Sequence, residues 1–108
     1  MLMVYGLKNC DTCRIAIKRL KALDIKHIFH DLRKDGLDRA TVVKWEKSVG
    51  WENLLNQRST TWRNLSKPEK DNVDKTKAID LMTQYPALIK RPVYDLNNNI
   101  SVGLKEVY

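Results

Sequence analysis

Several things are scarce in this sequence. Of its 108 residues, two are cysteine and two are histidine. No apolar run approaches the ~20 residues that a membrane-crossing helix needs. No run of five basic residues occurs, and no internal repeat, linker or low-complexity tract breaks the chain. Each shortage excludes something. The N-terminal "MLMVYG" is apolar, but it reaches Gly6 and Lys8 too soon for a secretory leader and has no basic segment before it. A cytoplasmic protein with no membrane partner is therefore expected. In a reducing compartment two cysteines are catalytic, metal-binding or inert, and not a structural staple.

The length suits one domain with a modest core, expected as a monomer. Basic residues outnumber acidic ones, for a net charge of +7. Such an excess would suit nucleic acid. The positive residues, however, are spread from Lys8 to Lys105 and interleaved with acids, as in "DLRKDGLDR" and "KPEKDNVDKTK". A solvated basic surface or an anionic small substrate explains them better, and no nucleic-acid partner is expected.

The apolar pattern gives an order of elements. Leu2 to Tyr5 form a short buried strand stopped by Gly6. A helix follows, capped by Asn9 or Cys10, with Ile15, Ala16, Leu20 and Leu23 at helical spacing. "KHIFHDL" is a second strand, and the three elements make a right-handed βαβ unit with parallel strands. Asp38 is then a natural N-cap, Val42, Trp45 and Val49 an apolar stripe, and Gly50 a stop. A short helix from Trp51 to Leu55 and a polar stretch anchored by Trp62 and Leu65 come next. Asp74 caps a helix with Ala78, Leu81, Met82 and Tyr85 on one face, ended by Pro86. Val93 to Leu96 and Ile100 to Val102 read as a hairpin around Asn97–Asn99, and Lys105 to Tyr108 would begin a last helix. The order β-α-β, helices, β-β-α implies an α/β chain with a thioredoxin-like, glutaredoxin-type fold. It would be a single domain over 1–108 with a helical insert at about 37–85.

Both cysteines lie in "GLKNCDTCRIAIKRL". Cys10 follows a strand and opens a helix, where unpaired N–H groups and the positive end of the macrodipole favour a thiolate. Lys8 and Arg14 add positive charge, and Asp11 opposes them. Cys13 lies a turn further on and would be the resolving thiol. A zinc site competes with this reading, because His27 and His30 complete the pattern C-x2-C-x13-H-x2-H. The histidine gap is shorter than a finger needs, and a separation of three along a strand puts the two rings on opposite faces. No metal is therefore expected.

A thiolate that meets an anionic partner needs fixed positive charge. Arg58 in "NQRSTTWR" and Arg91 in "IKRPVYD" are candidates. Arg91 precedes Pro92 at the entry to a strand, where a proline cannot donate to the ladder. In a thioredoxin-type fold this is the place of the cis-proline loop beside the active cysteine.

The segments "VYGLKNCDTCRIAIKRL", "HDLRKDGLDRATVVKWEKSVGWENLLNQRSTTWRNL" and "KAIDLMTQYPALIKRPV" resemble the arsenate reductase (ArsC)/Spx family, most nearly its YffB-like branch. The resemblance covers most of the chain and implies a thioredoxin-like fold with a helical insert. It makes Cys10 the nucleophile, Arg91 the oxyanion-binding arginine and Pro92 the cis-proline. Arg58 stands where the Spx-like and YffB-like branches carry an arginine, two residues beyond the arsenate reductases' column at Asn56. The reductases' third arginine falls near Gly103 and is missing. Cys13 stands where the Spx-like and YffB-like proteins have a second cysteine.

Together these imply a thiol-disulfide oxidoreductase that uses glutathione as co-substrate and no bound cofactor. Lys8, Arg58, Arg91 and Pro92 would bind the substrate, and glutaredoxin is a candidate partner. The alternatives are an arsenate reductase coupled to glutaredoxin or glutathione, and a non-catalytic Spx-like redox regulator that binds RNA polymerase.

Overall fold

The computed structural model describes residues 1–104. The helix predicted from Lys105 onward lies outside the described residues. The chain divides into two compact units: Met1–Gly36 with the segment from Arg91 on, and Leu37–Lys90.

The first unit is a four-stranded sheet in the order β2-β1-β3-β4. Its strands are β1 (Leu2–Gly6), β2 (His27–Asp31), β3 (Val93–Leu96) and β4 (Asn99–Val102). β1 and β2 are parallel, with Leu2 opposite His27 and Gly6 opposite Asp31. β3 runs antiparallel to β1, and β4 to β3. This is the sheet of a thioredoxin-like fold. The hairpin turn is Asn97–Asn98, both at positive φ (50° and 71°), so β4 begins one residue earlier than the sequence predicts. Two left-handed residues twist a hairpin in the sense its strands require, and asparagine tolerates them better than any other residue except glycine.

Helix α1 (Asp11–Ala22) packs on one face of the sheet. Its Ala16 and Leu20 join Leu2, Val4 and Tyr94 in a core edged by Ile17, Ile25, Phe29 and Leu96. The helix ends with Asp24 at φ 54°. The Ile25 N–H donates to the Leu20 carbonyl and the Asp24 N–H to the Lys21 carbonyl, the bond pair of a Schellman close. Two residues read as core from spacing are not in it. Ile15 is 44% exposed and Leu23 59%. The buried row of α1 is Cys13, Ala16, Leu20, with Ile17 half-buried beside it. Ile15 lies two residues past Cys13 and so about 200° around the helix from it.

The second unit is helical: α2 (Arg39–Val49), α3 (Trp51–Leu54), α4 (Thr60–Arg63), α5 (Lys67–Lys70) and α6 (Lys75–Gln84), then a 3-10 turn at Pro86–Leu88. Caps set its boundaries. Asp38 accepts from the Thr41 N–H, Asp74 from that of Lys77, and Ser66 and Glu69 form a capping box. Gly50, at φ 84°, ends α2 and opens α3. α2 packs on α6, burying Val42, Trp45, Ala78 and Met82. An antiparallel bridge joins Leu55 to Ile89. No helix among the described residues is long and apolar enough to cross a membrane.

Leu20 and Ile15 separate the observed helix face from the one predicted by spacing. Leu20→Ala is expected to lower the unfolding free energy by about 2–5 kcal/mol in urea titration, and Ile15→Ala by no more than about 0.5 kcal/mol.

Candidate active site

β1 delivers the chain to the site. After Gly6 it turns through Leu7, whose carbonyl accepts from the Cys10 N–H at 3.1 Å. Cys10 is the N-cap of α1, in extended geometry (φ −97°, ψ 122°), and its carbonyl accepts from the Arg14 N–H at 3.0 Å. The sulfur stands where a serine or aspartate oxygen would cap. It makes no cap hydrogen bond of good geometry, and it is only partly buried.

The two thiols are driven apart electrostatically. Burial works against the Cys10 thiolate, but the Cys13 backbone N–H, the Arg91 guanidinium and the Cys13 thiol outweigh it, so its pKa lies below the ordinary value. Cys13 is 2% exposed. Burial, reinforced by the Cys10 charge beside it, pushes its thiol up to about 11 despite help from the Leu7 N–H and Arg91. Gly6 makes room for this arrangement. A Cβ at position 6 would sit 2.4 Å from Cys13 Sγ and 3.3 Å from Phe29 Cε1.

The loop before Cys10 is held by a residue that the sequence reading missed. Asp31, the last residue of β2, accepts the Lys8 N–H at 3.1 Å through Oδ2. Its Oδ1 accepts the N–H groups of Arg33 (2.9 Å) and Lys34 (3.0 Å). The Lys34 N–H leads the effects that hold this carboxyl below the usual range. Its signal in the sequence was an aspartate closing a strand ahead of the polar "RKD", a turn-forming position.

The Arg91–Pro92 peptide is cis, and the Gly103 N–H donates to the Pro92 carbonyl at 2.9 Å. Gly103, where the resemblance leaves the third arginine missing, therefore lies on the cis-proline loop, at φ 89°. An L side chain seldom adopts that conformation. Lys8 is exposed and belongs to the same loop as Cys10. The first unit thus brings together Lys8, Cys10, Cys13, Arg91 and Pro92. Arg58 belongs to the second unit, exposed between α3 and α4, with its N–H donating to Asn56 Oδ1 at 3.0 Å.

The histidines are engaged in ordinary ways. His27 Nδ1 lies 2.9 Å from the Ile25 carbonyl, and His30 Nε2 2.6 Å from that of Gly36. The His30 ring leans on Tyr5. No group of three or more His, Cys, Asp or Glu among the described residues is arranged to hold a metal ion.

The model of the ArsC family matches residues 5–107. The chain belongs to the ArsC family. It is 38% identical to a solved protein named YffB, with a TM-score of 0.94 over 97% of this chain and 92% of that one. It is 41% identical to an arsenate reductase (ArsC) related protein from Brucella melitensis, with a TM-score of 0.82 over 97% and 88%. It is 24% identical to the global transcriptional regulator Spx 1 of Lactococcus lactis, over 98% of this chain and 84% of that protein. The family assignment and the thioredoxin-like fold read from the sequence both stand.

Two substitutions probe the geometry. Gly6→Ala is expected to displace Cys13 and lower the melting temperature, because the new methyl overlaps a buried sulfur. Arg91→Ala removes both the hydrogen bonding and the charge by which that residue lowers the Cys10 pKa. The midpoint of Cys10 alkylation by iodoacetamide should rise, and the alkylation rate at neutral pH should fall.

Proposed function

We propose that this ArsC-family chain is a thiol-disulfide oxidoreductase that draws its electrons from glutathione. The observation that carries the reading is the unequal pair: one partly exposed thiol of lowered pKa at a helix N-terminus, and one buried thiol of raised pKa a turn behind it.

The Cys10 thiolate attacks the glutathione sulfur of a mixed disulfide. A Cys10–glutathione disulfide forms, and the substrate sulfur leaves as a thiolate that takes a proton from water. A thiolate must then attack the Cys10–glutathione bond. A second glutathione attacks the glutathione sulfur, which gives oxidised glutathione and returns Cys10 as a thiolate. The sum is RS–SG + GSH → RSH + GSSG: the second glutathione is oxidised, the glutathione carried in by the substrate stays at the disulfide level, and the substrate sulfur is reduced to a thiol. Cys13 could instead attack Cys10 and expel glutathione, leaving an intramolecular disulfide that two further glutathiones or a glutaredoxin must reduce. Charge on Cys10 is gone in the mixed disulfide, but burial, the larger effect on Cys13, remains. The second-glutathione route is the faster one.

Arg91 fits a glutathione carboxylate as well as the thiolate, by bidentate pairing. Lys8 adds charge on the same loop, and Pro92 shapes the floor on which the substrate lies. Assignment of Arg58 to substrate binding rests on the family resemblance. Arsenate is the weaker substrate, because glycine stands at position 103 where the arsenate reductases place an arginine.

Cys10→Ser should abolish reduction of a glutathione mixed disulfide, followed through glutathione reductase and NADPH. Cys13→Ser should keep at least about a third of the wild-type rate. Full activity without Cys10 would end the proposal. A second reading, a regulator with a disulfide switch, draws support from the likeness to Spx 1. It requires that the oxidised chain capture RNA polymerase and the reduced chain not do so.

A further inference from the structure

Along the flank of α1 that faces β2, the first unit carries an open cleft of about 460 Å³. Its floor is apolar: Leu7, Cys13, Ile17 and Phe29. Ile17 and Phe29 edge the core but remain half-exposed, so apolar surface is left facing solvent there. The other lining residues are Lys8, Arg14, Lys18 and Lys21, and none of the lining residues is acidic. Arg14, Lys18 and Lys21 are spaced i, i+4 and i+7, so they form one row on the helix above the apolar row of Cys13 and Ile17.

The acids that meet these rim residues leave most of this charge unopposed. Asp11 pairs with Arg14 at 2.9 Å. Asp31 is turned to backbone N–H groups, that of Lys8 among them. Among the described residues the ammonium groups of Lys8, Lys18 and Lys21 carry no ion pair. A solvated basic face would explain the lysines alone. It does not explain a concave apolar floor beneath them.

We propose that this cleft binds a small amphipathic anion, with an acyl or aromatic body on Ile17 and Phe29 and a carboxylate, sulfonate or phosphate held by Lys18 and Lys21. Apolar contact supplies affinity and the basic row fixes orientation. The cleft borders the site proposed for glutathione and shares Lys8 and Cys13 with it, but the apolar floor and the Lys18–Lys21 row suit a ligand with an apolar body, which glutathione lacks, and the inference does not depend on the reading of Cys10. Because Cys13 forms part of the floor, an occupant would lie over the buried thiol.

The probe is 1-anilinonaphthalene-8-sulfonate, with uncharged N-phenyl-1-naphthylamine beside it. The sulfonate should bind one molecule per chain and shift the amide resonances of Ile17, Lys18 and Phe29. Lys18→Glu/Lys21→Glu, both exposed positions, should weaken the sulfonate roughly tenfold and change the uncharged dye by less than about twofold. Lys18→Gln/Lys21→Gln should give an intermediate loss, which separates charge from any folding defect. Cys10→Ser should bind the sulfonate as wild type does. Absent or unsaturable binding, affinity unmoved by charge reversal, equal loss of both dyes, or resonance shifts centred away from the α1–β2 flank would each overturn the proposal.

Discussion

The first turn of α1 lies tight against the end of β1, and Gly6 permits it. The 2.4 Å separation between a Cβ at that position and Cys13 Sγ means that any side chain would push the helix start away from the strand. With glycine there, Cys13 sinks into the sheet and Cys10 is left at the mouth, one turn earlier. The positions of both sulfurs follow from that single close approach. So does the placement of the Leu7 and Cys13 N–H groups near them.

One helix terminus therefore treats two like groups in opposite ways. Burial opposes charge at both sulfurs. At Cys10 it is overcome by the Cys13 N–H, the Arg91 guanidinium and the Cys13 thiol. At Cys13 it is not, and a charge on Cys10 adds to the cost. The unequal pair gives one sulfur ready to attack and one held in reserve as a thiol.

Much of this was legible in the sequence because it depends on local rules. Asp38, Asp74 and Gly50 mark helix ends through their own side chain or lack of one, and the asparagines mark the hairpin. The parallel pairing of β1 and β2 followed from one helix between two apolar runs. The α1 core face was misread for a physical reason. Ile15 and Leu23 are more apolar than Cys13, but the face that packs is set by which residue lies over Gly6, a contact between positions seven apart. Asp31 was missed because its partners are backbone N–H groups, so its place ahead of the polar "RKD" was its only mark. Asp24 closes α1 from the left-handed region without a glycine to announce it. The cleft beside α1 was invisible because Phe29 joins the helix only across the β1–α1–β2 crossover.

The fold separates the two thiols before any substrate arrives. The direct measurement is a pH titration of both cysteine 13Cβ resonances in the reduced wild-type protein. Cys10 should titrate below the ordinary value of a free thiol and Cys13 near 11. Two midpoints at the free-thiol value, or Cys13 titrating before Cys10, would contradict that separation.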